Sequence, residues 1–151
     1  MSATNRNIDR KLKIASKTEV LAEARSFVGQ AAREFGFDDA DAMNIEIAVD
    51  EACTNIIKHA YKNDPEGWIH IRISQHRENG KPRIVIQITD SGKPFDSNSY
   101  TAPNMPEYLQ KMKRGGLGVL LMKKIMDEVE YFSSSDDNNS IRLVKYLPPA
   151  S

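Results

Sequence analysis

Near the start of the chain, the spacing of apolar residues changes from the alternation of a strand to the periodicity of a helix. Residues 1–10 are polar and are expected to form a flexible arm. Leu12 and Ile14 alternate with charged residues and predict a short first strand. The pattern Ser16-Lys-Thr-Glu19 predicts a capping box that opens a helix, and Gly36 predicts the end of that helix.

A second helical segment follows and reaches about Tyr61. One of three aspartates, Asp38, Asp39 or Asp41, is expected to cap its first turn. Its apolar residues recur at the spacing of a single buried face: Ile45, Ala48, Val49, Ala52, Ile56 and Ala60. The segment therefore predicts a long helix that packs one side against a core.

Strict alternation of isoleucine with polar residues then predicts a hairpin. The first strand carries Ile69, Ile71 and Ile73, and the returning strand carries Ile84, Ile86 and Ile88 before it ends at Asp90. Asn79-Gly80 between them is a strong signal for a two-residue turn.

The rest of the chain alternates between irregular and periodic stretches. Residues 91–114 show no period and contain Gly and Pro, which predicts a long functional loop. A third helix is expected from Leu117 to about Glu128, followed by a strand pair over Val129 to Ser133 and Ile141 to Leu147. The resulting order, β-α-α-β-β-loop-α-β-β, favours an α+β two-layer sandwich with helices on one face of a mostly antiparallel sheet.

Composition narrows the class of protein without deciding it. The 151 residues fit one domain, expected over 11–148, and are 40% hydrophobic and 28% charged. Lys plus Arg and Asp plus Glu balance at 21 each, so the chain lacks the basic excess of a general nucleic-acid or membrane binder. The single cysteine, Cys53, and the absence of an apolar membrane span or signal-peptide pattern lead us to expect a cytoplasmic protein.

Glu51 and Asn55 are four residues apart in the second helix and should share one face at the edge of its apolar stripe. An amide oxygen can coordinate a hard cation such as Mg²⁺, and a carboxylate one turn away can deprotonate a hydroxyl. The alternative is that both are ordinary solvated side chains. Cys53 should point away from them into the core.

Two further groups of residues have the character of a nucleotide site. Asp90 ends an apolar strand, where its carboxylate can accept a hydrogen bond from an adenine amino group, and Gly92 would allow close approach of the base. Gly115, Gly116 and Gly118 lie where the loop meets the third helix and can expose backbone N–H groups to phosphates. Arg114 adds a cation before them. The alternatives are an ordinary turn, hinge glycines and a solvated arginine.

Taken together, these segments resemble the GHKL ATPase superfamily, the Bergerat fold that gyrase, Hsp90, histidine kinases and MutL share. The likeness is strongest to its anti-sigma factor serine/threonine kinase branch. The resemblance rests on an N box at 49–61, a G1 box at 88–96, a G2 box at 114–131 and a closing strand at 139–145. Pro94 stands where the wider superfamily has a second glycine, which agrees with the anti-sigma branch.

The resemblance implies a role for each candidate residue. Glu51 would activate the substrate hydroxyl, Asn55 would hold Mg²⁺, and Asp90 with Gly92 would read adenine. Residues 97–114 would form the ATP lid, and Arg114 at its end would contact the γ-phosphate. At the start of the third helix, Gly116, Leu117 and Gly118 would contact the phosphates.

The resemblance also implies partners. They are a sigma factor and an anti-anti-sigma protein with a STAS domain, phosphorylated on Ser or Thr; a homodimer would fit the branch, and no direct contact with nucleic acid or membrane is expected. Two other hypotheses remain at this point. One is a non-catalytic, nucleotide-gated binding module on the same fold, and the other is a scaffold that binds no nucleotide.

Overall fold

The computed structural model describes residues 8–61, 64–90, 118–133 and 139–148. Its centre is a five-stranded sheet in the order β1-β2-β3-β5-β4, in which every neighbouring pair is antiparallel. The strands are β1 Asp9–Ala15, β2 Trp68–Glu78, β3 Lys81–Asp90, β4 Glu128–Ser133 and β5 Asn139–Tyr146.

In the described part of the chain, three α-helices cover one face of this sheet. They are α1 Leu21–Phe35, α2 Asp39–Asn55 and α3 Gly118–Ile125, with a 3₁₀ turn at Thr18–Val20 and a π-helical turn at Ile56–Ala60. The central helix α2 packs against both α1 and α3. The predicted α+β two-layer sandwich is therefore confirmed. No helix in the described part of the chain is long and apolar enough to cross a membrane.

The two faces of the sheet differ in polarity because side chains alternate along each strand. The helix-facing side carries the predicted isoleucines of β2 and β3, which are all buried, and Ile71 pairs with Ile88 and Ile73 with Ile86. They form one core with the apolar residues of the helices, among them Val28, Ile45, Val49, Cys53 and Met122. The opposite face carries ion pairs such as Asp9–Arg72, so the core of the domain lies between sheet and helices.

The first strand begins earlier in the chain than the sequence pattern predicts, and the start of the first helix is capped differently. Ile8 is buried and β1 starts at Asp9, before the expected end of the arm at residue 10. The predicted capping box is wrong: Ser16 donates its hydroxyl to the carbonyl of Asp64 (2.5 Å), and no side chain caps the turn. The Ser16 hydroxyl is therefore used in a hydrogen bond to a residue distant in sequence and is not available to cap the helix.

The junction between α1 and α2 follows the prediction closely. Gly36 has φ of 124°, and its N–H donates to the carbonyls of Ala32 and Arg33, which ends α1. Asp38 is the N-cap of α2, where its carboxylate accepts the N–H of Asp41 at 2.8 Å. A left-handed residue and an acidic cap satisfy backbone groups that helix ends leave free.

The end of α3 at Ile125 corrects the prediction that this helix reaches Glu128. Asp127 instead donates its N–H to the carbonyl of Val144, and Glu128 is already the first residue of β4. Lys145 of β5 donates its ammonium group to the carbonyl of Ile125 at 2.8 Å. Pairing with β5 therefore stops the helix earlier than its apolar pattern suggests.

The hairpin turn confirms the Asn79-Gly80 prediction. Asn79 has φ of 53° and Gly80 has φ of 78°, which is the backbone of a type I′ turn. The turn sets Glu78 opposite Lys81, and this register runs without interruption to Ile69 opposite Asp90.

Gly67 lies under the ring of Tyr61, where no side chain fits. A Cβ at Gly67 would overlap three ring atoms, and the ring cannot easily move because its hydroxyl donates to the carbonyl of Trp68 at 2.5 Å. We expect Gly67→Ala to lower the free energy of unfolding by about 1–3 kcal/mol, the usual effect of overpacking. Urea unfolding at constant m would measure the change.

Gly29→Ala is the matched control. Its Cβ would meet only the flexible ends of Glu46 and Arg33, which can turn away, and alanine favours a helix by up to about 1 kcal/mol over glycine. If Gly67→Ala were as stable as wild type or as Gly29→Ala, the packing argument for Tyr61 would be wrong.

Candidate functional site

Several elements converge at the end of the sheet opposite the hairpin, which we call the Asp90 end. Trp68 begins β2 there, Asp90 ends β3, and Asn139, paired with Asp90, begins β5. The helical segment that follows α2 also ends there, because the Tyr61 hydroxyl binds the Trp68 carbonyl. The chain therefore brings the last turns of α2 and the last residue of β3 to the same end of the sandwich.

Glu51 and Asn55 lie on α2 at the margin of its buried face. Both side chains are half-buried, while Ala52 and Cys53 between them are fully packed in the core. A four-residue step rises about 6 Å and turns about 40°, so the carboxylate and the amide occupy one side of the helix. This placement agrees with the prediction that the pair lies at the edge of the apolar stripe.

The helix changes its geometry directly after Asn55. Residues Ile56–Ala60 form a π-helical turn, closed by a hydrogen bond from the N–H of Tyr61 to the carbonyl of Ile56 at 3.0 Å. Such turns are rare and occur frequently at functional sites. Nothing in the sequence pattern predicts it, since the apolar spacing runs smoothly through this stretch.

Asp90 turns towards the helices and not towards the outer face of the sheet. It has the same strand parity as Ile84, Ile86 and Ile88, and only 4% of its surface is exposed. A buried carboxylate is unfavourable unless it is hydrogen-bonded, which makes this position unusual in an apolar layer. Ser16 is the one other polar residue that the described part of the chain buries to this extent.

Gly118 is the first residue of α3, as the sequence pattern suggests for a glycine at a helix start. The helix ends near the hairpin because Ile125 is held by Lys145, and eight residues rise about 12 Å. Five other candidates fall outside the described residues: Gly92, Arg114, Gly115, Gly116 and Leu117.

Cys53 belongs to the core and has no role in polar chemistry. Burial, with a smaller contribution from the charge of Asp50, raises the pKa of its thiol to about 12. A thiol with such a pKa stays protonated and is a poor nucleophile. The prediction that Cys53 points away from Glu51 and Asn55 is confirmed.

Two cavities lined by described residues lie away from the candidate residues. One cavity of about 920 Å³ opens at the hairpin end, between Lys81, Asp127 and Lys145. The ATP lid expected at 97–114 lies outside the described residues. The described residues also contain no cluster of three His, Cys, Asp or Glu side chains that could hold a metal.

Comparison with known proteins gives this arrangement a family. The sequence profile of the histidine kinase-like ATPase domain matches residues 14–145. Serine-protein kinase RsbW of Bacillus licheniformis is 31% identical over 140 residues, which cover 90% of this chain and 84% of that protein. Serine-protein kinase RsbW of Bacillus anthracis is 33% identical, with coverage of 90% and 83%.

Solved structures agree on the fold. The RsbU and RsbW domains of a Mycobacterium tuberculosis protein align with a TM-score of 0.60 at 14% identity, over 95% of this chain and 34% of that one. The SiaB–SiaC complex of Pseudomonas aeruginosa aligns with a TM-score of 0.59 at 13% identity, over 89% and 88%. The chain therefore belongs to the histidine kinase-like ATPase family, in the branch of the RsbW serine-protein kinases.

Proposed function

We propose that this protein is an ATP-dependent serine/threonine kinase that acts as an anti-sigma factor. It would phosphorylate an anti-anti-sigma partner with a STAS domain and sequester a sigma factor in the cytoplasm. The observation that carries the catalytic half is the half-buried Glu51 and Asn55 pair on α2, at the end of the sandwich where Asp90 faces the helices. The relatives named serine-protein kinases support the same reaction.

Glu51 is the proposed general base. A half-buried carboxylate can reach solvent and a protein substrate, yet its helix fixes its position. It would accept the proton of the Ser or Thr hydroxyl as that oxygen bonds to the γ-phosphorus and the bond to ADP breaks. Phosphoryl transfer depends mainly on positioning and charge stabilisation, so one well-placed carboxylate is sufficient for the proton.

Asn55 is the proposed ligand of Mg²⁺. The fit rests on donor chemistry: Mg²⁺ prefers oxygen ligands, and protein sites commonly supply one or two of them while substrate phosphates and water supply the rest. The Asn55 amide oxygen is such a ligand, and its half-exposed position leaves room for the others. When bound, the ion would neutralise phosphate charge during transfer.

Asp90 is the proposed reader of the adenine amino group. Its carboxylate is held in an apolar layer where a hydrogen bond to a base edge would be protected from water. Gly92 beside it, Arg114 at the γ-phosphate, and Gly116, Leu117 and Gly118 at the phosphates complete the proposed contacts. We assign 97–114 as the ATP lid of a single kinase domain over 11–148.

The assignment of partners rests on the branch of the family. A sigma factor and a STAS protein would use different surfaces or nucleotide states of the same chain, and a homodimer would be compatible with either. The SiaB neighbour was solved in complex with SiaC, so this fold supports partner binding in at least that protein.

Transfer of labelled phosphate tests the proposal. The purified chain is incubated with Mg-ATP labelled at the γ-position and with each STAS-domain protein of its host, and mass spectrometry locates the phosphate. One phosphate on a single Ser or Thr, with one ADP released, is the expected result. ATP binding without transfer to any of them would favour the non-catalytic, nucleotide-gated module, and no ATP binding would remove both.

A further inference from the structure

Helix α2 carries an apolar patch on its solvent side. Met43 is 56% exposed and Ile47 is 40% exposed, and Ala40 beside them is exposed as well. Residues four apart lie next to each other on a helix surface, so these side chains form one continuous area. We call Ala40, Met43 and Ile47 the α2 patch.

The neighbouring helix shows that this surface is unusual for the fold. On α1 the exposed positions are almost all polar: Glu23, Arg25, Ser26, Gln30, Arg33 and Glu34. A helix that packs one side against a core normally has such a polar outer face. Isolated exposed apolar residues are common and mean little by themselves, so the position of the patch decides its interpretation.

The α2 patch leads directly to Glu51. Each four-residue step advances about 6 Å and turns about 40°, so Ile47 lies one step and Met43 two steps before Glu51 along the same side of the helix. A protein that delivers a hydroxyl to the Glu51 carboxylate must cover the surface within about 6–12 Å of it, which includes both side chains.

Charged side chains border the α2 patch, as polar residues border the apolar centre of a protein interface. Asp50, one turn from Ile47, binds Arg25 of α1 at 2.6 Å, and Asp39 binds Arg33 at 2.9 Å. These side chains are partly or mostly exposed. An apolar centre bordered by exposed charged groups is the usual arrangement of a protein-binding surface.

We infer that the α2 patch is the docking surface for the phosphoacceptor protein, an inference that rests on the proposed kinase function. A second copy of this chain is a weaker candidate for the patch. In a two-fold contact both copies use the same surface, so each copy would cover the approach to the other's Glu51 and close substrate access. The phosphoacceptor should therefore carry an apolar area about 6–12 Å from its Ser or Thr hydroxyl.

The double variant Met43→Gln, Ile47→Gln tests this assignment. Glutamine keeps helix propensity and adds no charge. The probe is the host STAS protein that wild type phosphorylates in the transfer experiment. We expect KM for that protein to rise at least about tenfold, with kcat at saturation and Mg-ATP affinity within about twofold, because only ground-state docking is removed. Phe132→Thr, which removes a 46% exposed side chain from the outer face of the edge strand β4, is the matched control and should change none of these values.

Each other outcome overturns the inference. Unchanged KM in the double variant, or an equal rise in Phe132→Thr, would show that docking does not use the patch. A fall in kcat or in Mg-ATP affinity would place its effect inside the active site. A change from dimer to monomer in sedimentation, with KM unchanged, would assign the patch to a second copy. If wild type phosphorylates no STAS protein, the proposed function itself fails, and the docking surface fails with it.

Discussion

Replacing Asn55 by alanine should lower the affinity for Mg-ATP by about 100-fold, equivalent to about 2.7 kcal/mol. The proposed reason is loss of the one protein oxygen that holds Mg²⁺, which then has only phosphate and water ligands. Alanine is the best helix former and Asn55 is the last residue of α2, so the fold should be unaffected.

Thermal-shift titrations with Mg-ATP and with ATP in EDTA would measure this effect, since a ligand of the native state raises the melting temperature with its concentration. In wild type the magnesium series should exceed the EDTA series, and in Asn55→Ala the two should coincide. Thr54→Ala removes a half-buried neighbour and should behave as wild type. An unchanged affinity in Asn55→Ala would contradict the assignment of Mg²⁺ to this residue.

Replacing Glu51 by glutamine should preserve ATP binding and reduce phosphate transfer by about 100- to 10,000-fold, the usual range for a general base. The amide has the size and hydrogen-bonding reach of the carboxylate but cannot accept the hydroxyl proton. Single-turnover transfer to the STAS protein would give the rate, and the thermal-shift titration would show that the nucleotide is still bound.

Glu46→Gln is the matched control for Glu51→Gln. Glu46 is also half-buried on α2, but its carboxylate lies beside Gly29 and Arg33 of α1, on another side of the helix. It should transfer phosphate at the wild-type rate. Full activity in Glu51→Gln would exclude Glu51 as the base, and equal losses in both variants would point to a general effect of charge on α2.

Elements with a local cause could be predicted from the sequence. The alternating isoleucines and Asn79-Gly80 specify β2 and β3 without help from the rest of the chain, and the type I′ backbone agrees with them. Gly36 and Asp38 also act through neighbouring residues. For the site, the i, i+4 spacing of Glu51 and Asn55 was enough to place both at the edge of the core.

Features decided by distant contacts could not be predicted. Ser16 does not cap the helix because its hydroxyl binds a carbonyl 48 residues away. Helix α3 ends where β4 begins to pair with β5. The π-helical turn after Asn55 has no residue that marks it. The α2 patch could not be predicted because apolar residues occur on both sides of α2, and their periodicity identifies the buried side without indicating what covers the other.

The two-residue turn at Asn79-Gly80 has a consequence for how the gene can change length. Asp90 lies about 30 Å along β3 from this turn, yet a single codon inserted there without a compensating bulge would point its carboxylate to the outer face. The same shift would expose Ile84, Ile86 and Ile88, which are now fully buried. Selection for folding would thus remove such an insertion before selection for activity could act. The buried isoleucines therefore preserve the orientation of the Asp90 carboxylate, although folding itself does not require that carboxylate.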